Sequence, residues 1–170
     1  MRRLPIHGGS LRLYVEPRER QGPSVRELLE LEQRVGVDRV AYYLDFARQV
    51  EHVKRGLLDL LRRLKGEGRR IAAYGAAAKA CTLLNTVGIG PELIDYVVDR
   101  NVHKHGRYMP GQRLPIDRTE RLMEDRPDYC LLLAWNFAQE IAAQQANYLR
   151  LGGRFIVPIP EPRILEGAGD

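Results

Sequence analysis

RRIAAYGAAAKACTLLNTVGIGPELIDYVVDRNVHKHGRYMPG, residues 69–111, is the stretch whose reading decides the fold. Ile71-Ala72-Ala73-Tyr74 is a short apolar run that stops at Gly75. The Ala- and Leu-rich segment from Ala76 to Val87 reads as a helix closed by Gly88, and Leu93 to Val98 reads as a second strand ending in Asp99-Arg100-Asn101. Strand, glycine turn, helix and strand make the first half of a parallel α/β unit, in which ligands collect where strands end and helices begin. Both polar turns, 75–79 and 99–111, leave carboxyl ends of strands and are therefore expected on one edge.

Working outward, Tyr129-Cys130-Leu131-Leu132-Leu133-Ala134 is continuously apolar, as a strand covered on both faces must be. Trp135-Asn136 stands at its end, a helix is expected through Arg150, and Arg154-Phe155-Ile156-Val157 forms a last strand. Alternation of strands and helices calls for a mainly parallel sheet with right-handed crossovers. The first strand is expected centrally, with the switch point between Gly75 and Trp135-Asn136. Pro158, Pro160 and Pro162 then predict an extended, unpaired tail.

Toward the N-terminus, His7-Gly8-Gly9 reads as a turn, and residues 10–15 alternate apolar and polar as a half-buried strand does. Ser24 with Glu27 has the form of a capping box opening a helix to Gly36. A second helix, capped by Asp38, carries Tyr43, Val50, Leu57, Leu61 and Leu64 at spacings of three, four or seven, until Lys65-Gly66-Glu67-Gly68 stops it. The expected organisation is therefore an edge strand (1–16), a helical segment packing on the same domain (17–68), an α/β core (69–158) and a Pro-rich tail (159–170).

Composition excludes several classes. At 170 residues, 44% hydrophobic and 29% charged, the chain has the length and make-up of a single globular domain. No apolar stretch approaches a membrane span and no secretory h-region follows the N-terminal arginines, so no membrane partner and a cytoplasmic setting are expected. The net charge of +5 comes from arginines scattered among glutamates: lysine occurs only at positions 54, 65, 79 and 104. No basic run with interleaved aromatics is present, which speaks against nucleic acid. Cys81 and Cys130, each in an apolar segment, read as free thiols, and neither cysteine nor histidine spacing supplies a metal set.

The functional candidates lie on the central stretch. Lys79 falls in the first turn of its helix, where a cation opposes the helix dipole and is better placed to meet a phosphate. Arg100, Lys104 and Arg107 offer further cations, Asn101 hydrogen bonds and Tyr108 a stacking face. The Gly75–Ala80 run also mimics a dinucleotide fingerprint, with Asp99 near the place of its ribose-binding acid. Ala77, however, stands where close approach of a pyrophosphate needs glycine. No nucleophile elbow, paired carboxylates or HExxH motif is present, so no catalytic residue is assigned.

The segments HGGSLRLYV (7–15), YGAAAKACTLLN (74–85), DYVVDRNVHKHGRYMPGQRLPI (95–116), LLLAWNF (131–137) and GGRFIVPIPEPRIL (152–165) together resemble the C-terminal domain of S-adenosylmethionine-dependent sugar C-methyltransferases. Val102, where that family usually has proline, and Ala80-Cys81 are mild departures. The resemblance implies a Rossmann-like, three-layer domain that binds a dTDP-deoxysugar while a preceding methyltransferase domain carries the cofactor and the catalytic base. It implies substrate-binding roles for Gly75, Lys79, Asn85, Asp99, Arg100, Asn101, Lys104, Arg107 and Tyr108. It also implies that residues 10–15 correspond to the last strand of the methyltransferase domain, which is supplied in cis or in trans. Cofactor and catalytic base then lie outside this chain, which is not expected to be catalytically complete alone. Two other readings stand beside this one: an NAD(P)-type dinucleotide binder, and a structural or homo-oligomerising domain built on the long helix.

Overall fold

A computed structural model of the chain describes residues 1–6, 9–18 and 20–165. The expected turn at His7-Gly8 and the end of the tail beyond 165 fall outside the described residues. The chain divides into two compact units, Met1–Val50 and Glu51–Asp170.

The second unit is the α/β core. Its elements in chain order are β3 (Ile71–Tyr74), α3 (Ala78–Val87), β4 (Val97–Val98), β5 (Ile116–Asp117), α4 (Arg121–Asp125), β6 (Tyr129–Leu132), α5 (Ala138–Gln144), α6 (Ala146–Arg150), β7 (Arg154–Val157) and β8 (Arg163–Leu165). The sheet order is β5-β4-β3-β6-β7-β8, parallel except for the last pair. Strand order reverses between β3 and β6, as the strand–helix alternation predicts, so the architecture is a Rossmann-like α/β fold.

Side-chain alternation along the strands builds the two cores. Ile71 and Ala73 face one side of the sheet with Leu84, Leu131 and Ile156, while Ala72 and Tyr74 face the other with Leu122, Ile141, Tyr148 and Phe155. Cys130 is fully buried in the second cluster and Cys81 flanks the first, so the sheet separates the two free thiols. Tyr148, wedged against Phe155, donates its hydroxyl proton to the carbonyl of Pro127 at 2.8 Å, which satisfies the buried oxygen.

Several local expectations are corrected. The tail does not stay unpaired: Arg163–Leu165, beyond the prolines, has free N–H groups and runs antiparallel to β7 as β8. Leu93 and Ile94 sit in a turn, their N–H groups bonded to Gly90 O, so β4 keeps only Val97 and Val98. The helix expected through Arg150 is broken at Gln145 into α5 and α6.

In the first unit, β1 (Arg2–Leu4) and β2 (Ser10–Arg12) form an antiparallel hairpin, so the strand expected at 10–15 has a partner within the chain and ends at Arg12. Helix α1 (Pro23–Val35) starts one residue before the expected cap: Gly22 is the N-cap and Pro23 the first helical residue, where its fixed φ suits and its missing N–H costs nothing. Gly36 ends it in the left-handed conformation, φ 75°.

Helix α2 (Val40–Gly66) has 27 residues and begins in the first unit. Leu57, Leu61 and Leu64, on one face of its second half, are fully buried in the first core cluster. Among the described residues no helix is long and apolar enough to cross a membrane. Leu61→Ala is expected to lower the unfolding free energy of the core by about 3 kcal/mol, the usual loss for a buried leucine. Tyr43→Ala, on the exposed part of the same face, should change it by less than about 0.5 kcal/mol. Urea unfolding followed by the fluorescence of Trp135, the chain's one tryptophan, measures both.

Candidate functional site

The polar turns meet at the carboxyl edge of the sheet. Gly75 leaves β3 with φ 99°, a conformation L side chains rarely adopt, and a Cβ there would stand 3.0 Å from that of Ala134. Its N–H donates to Val98 O at 2.8 Å, which joins the turn to the end of β4. Helix α3 then starts at Ala78 with Ala77 as a cap that has no side-chain acceptor to offer. Ala80 N–H already bonds Ala77 O at 3.0 Å, so the N–H groups of Ala78 and Lys79 are the ones with no carbonyl within the helix to bond.

Among the described residues Asp99 is the one buried charged side chain, and both its oxygens are engaged. Oδ2 accepts the N–H of Ala76 at 2.7 Å and the ammonium of Lys104 at 3.2 Å, while Oδ1 accepts the N–H of Asn101 at 2.8 Å. Lys104 also donates to Ala76 O at 2.8 Å, and His105 Nε2 donates to Asp99 O at 2.7 Å. Asn101 in turn accepts the N–H of His103 at 3.0 Å and opens the 3-10 turn Val102–Lys104. Thus Gly75, Asp99, Asn101 and Lys104, all singled out from the sequence, are brought together as one lattice. Their polar groups largely bond one another and the two turns.

Lys79 belongs to a second cluster, across the switch point. Its ammonium lies 4.3 Å from the centre of the Trp135 ring and 5.9 Å from that of Phe137, and it donates to Asn136 Oδ1. Partial burial pushes its pKa below the ordinary lysine value. Among the described residues no carboxylate bonds Lys79, and a cation so held over an aromatic face is suited to meet another anion.

The remaining candidates are spread more widely. Asn85 sits six residues beyond Lys79, about 9 Å further along α3. Its Nδ2 donates to Cys81 O at 2.8 Å and Pro110 O at 3.2 Å, and its Oδ1 accepts from Gln112 at 3.2 Å. It tethers the 110–112 loop, and Gly111, φ 87°, passes so close that a Cβ would lie 2.1 Å from Asn85 Oδ1. Arg100 is exposed and reaches Gln144 at 3.5 Å. Arg107 and Tyr108 are exposed on the β4–β5 connection, whose backbone is pinned by Ile116 N–H to Arg107 O at 2.8 Å and by a bridge between Tyr108 and Pro115.

The edge thus offers fixed N–H groups, cations and aromatic faces, a set that binds anions and planar rings. Among the described residues no three His, Cys, Asp or Glu side chains converge as a metal set. Residues 5–160 match the family model described as the C-methyltransferase C-terminal domain. The chain belongs to this family. C-methyltransferase NovU of Streptomyces niveus is similar to it, 39% identical over 163 residues. The alignment covers 94% of this chain and 39% of NovU, so the chain spans about two-fifths of that relative's length.

Within this C-methyltransferase C-terminal domain, Asn136 and Phe137 join Lys79 although they stand almost sixty positions away in sequence. Only the switch-point topology pairs the ends of β3 and β6, and Trp135-Asn136 at a strand end was the visible trace of it. Asp99→Ala is expected to cost about 2–4 kcal/mol, because it strips Ala76 N–H of its acceptor and Lys104 of its counter-charge. Arg107→Ala, at an exposed site, should stay within about 0.5 kcal/mol. Urea denaturation of both variants checks the contrast.

Proposed function

We propose that this domain binds a nucleotide-activated deoxysugar, dTDP-linked, and orients it for a C-methyltransferase centre that lies outside the chain. The observation that carries the reading is Lys79, a cation poised at the start of α3 on the switch point, over Trp135 and with no carboxylate bonded to it among the described residues. A diphosphate fits such a place: the first N–H groups of α3 and the ammonium supply donors and charge. Arg100 and Arg107 supply exposed cations for the same anion, and Tyr108 an exposed ring for the base or sugar.

The contacts support a division of labour. Asp99, Asn101, Lys104 and Asn85 hold the two turns, and Lys79, Arg100, Arg107 and Tyr108 are left to meet the ligand. S-adenosylmethionine, bound by the preceding part of such an enzyme, supplies the methyl group. The residues here contribute binding and orientation, which convert an encounter into a fixed geometry. The dinucleotide reading loses support because Asp99, the acid it needs for a ribose, is turned inward onto backbone N–H groups.

Two measurements test this. In calorimetric titration, dTDP is expected to bind and NAD not to, and Lys79→Ala or Arg107→Ala should each weaken dTDP at least tenfold, about 1.4 kcal/mol. Unchanged affinity in both variants would exclude the diphosphate site. By NMR of methylated lysines, Lys79 should titrate below the ordinary lysine value and move upward when dTDP is added. The sign follows from the charges: burial disfavours the ammonium in the free protein, and a neighbouring dianion favours it in the complex.

A further inference from the structure

The turn that follows β6 uses its two aromatic residues differently. Trp135, Asn136 and Phe137 form one 3-10 turn, pinned to β3 by Leu133 N–H on Tyr74 O at 2.9 Å and closed by Phe137 N–H on Ala134 O at 2.8 Å. Trp135 is half-buried and packs against both core clusters. Phe137 belongs to neither cluster and leaves 46% of its surface exposed. A lone exposed phenylalanine is ordinary on a protein surface. This one is distinguished by its neighbour, the ammonium of Lys79, 5.9 Å from the centre of its ring. Asn136 Oδ1 accepts from that ammonium, so a single turn carries the ring and also holds the cation.

In a nucleotide the base stands one pentose away from the phosphates. A side chain that stacks on the base must therefore lie beside the cation that meets the phosphates, offset from it and open to solvent. Trp135 meets neither condition: the ammonium already lies 4.3 Å over its ring, and the core holds its body. Tyr108 is open, at 65%, but its bridge to Pro115 places it beside β5. In the sheet β5 is two strands from β3, about 10 Å, whereas Phe137 follows β6, which adjoins β3. Phe137 alone of the three is both open and next to the cation.

We propose that Phe137 is the platform on which the base of the bound nucleotide stacks while Lys79 holds the diphosphate. The proposal rests on the diphosphate site of the functional reading above and assigns the base within it; Tyr108 is then left to the sugar. Stacking suits this place because every base offers a π-face, and the gain needs no hydrogen bond that the turn would have to supply. The turn is fixed by its own hydrogen bond and by the end of β3, so ring and cation keep their separation with or without ligand. A platform ordered in advance loses little conformational entropy on binding.

The test titrates the 170-residue chain with dTDP and with pyrophosphate, by calorimetry and by NMR of the ligand. Phe137→Leu keeps an apolar side chain and removes the π-face. It is expected to weaken dTDP at least tenfold and pyrophosphate less than twofold, with the melting of the chain unchanged. Phe137→Tyr should bring dTDP back to within threefold of the unaltered chain. On binding, the thymine methyl protons should shift upfield in the ring current of the unaltered chain and of Phe137→Tyr, and lose that shift at saturation in Phe137→Leu. Equal losses of dTDP and pyrophosphate would make Phe137 merely structural and overturn the proposal. So would a methyl shift that survives Phe137→Leu and vanishes in Tyr108→Leu. Binding of dTDP that depends on Lys79 and is indifferent to Phe137 overturns the stacking and leaves the diphosphate site standing, whereas failure of the unaltered chain to bind dTDP overturns both.

Discussion

The carboxylate of Asp99 is the constraint on which the functional edge depends. It sits buried at the end of β4 and ties together two pieces of backbone, the turn at Gly75-Ala76 and the start of the 99–105 loop, with the side-chain ammonium of Lys104. A buried charge is tolerated only when it is paired and hydrogen-bonded, and here N–H donors and a lysine meet that requirement. The result is an edge whose shape is set before any ligand arrives.

That arrangement explains why a polar, cation-rich stretch yields few free groups. Asn101 shapes a turn, Asn85 binds the 110–112 loop to α3, and Lys104 neutralises Asp99. What is left open, Lys79 over Trp135 with Arg100, Arg107 and Tyr108 exposed, is chemically suited to an anion and a ring. The chain's family is the C-methyltransferase C-terminal domain.

The contrast between the two units has the same physical root. The core encloses a sheet on both faces and buries Leu57, Leu61, Leu64, Tyr148 and Phe155 almost completely. The first fifty residues carry comparable apolar side chains, yet enclose none of them among the described residues. Apolar periodicity along α2 does not change between its halves; only the presence of something to pack against does.

The chain's pattern alone determined the strand–glycine–helix–strand opening, the parallel sheet, the position of the switch point and the membership of one edge by 75–79 and 99–111. These follow from short-range rules: apolar runs bounded by glycine, and the handedness of crossovers. Tertiary structure alone decided which polar residues are spent on the fold, because Asp99 facing Ala76 and Lys79 facing Asn136 bridge 23 and 57 positions of chain. It likewise decided that the strand after the prolines pairs as β8, that β4 shrinks to two residues, and that α2 is apolar along a face only half of which the domain covers. A sequence pattern marks a residue as apolar or polar, but whether it is buried or engaged depends on neighbours that only the folded chain brings within reach.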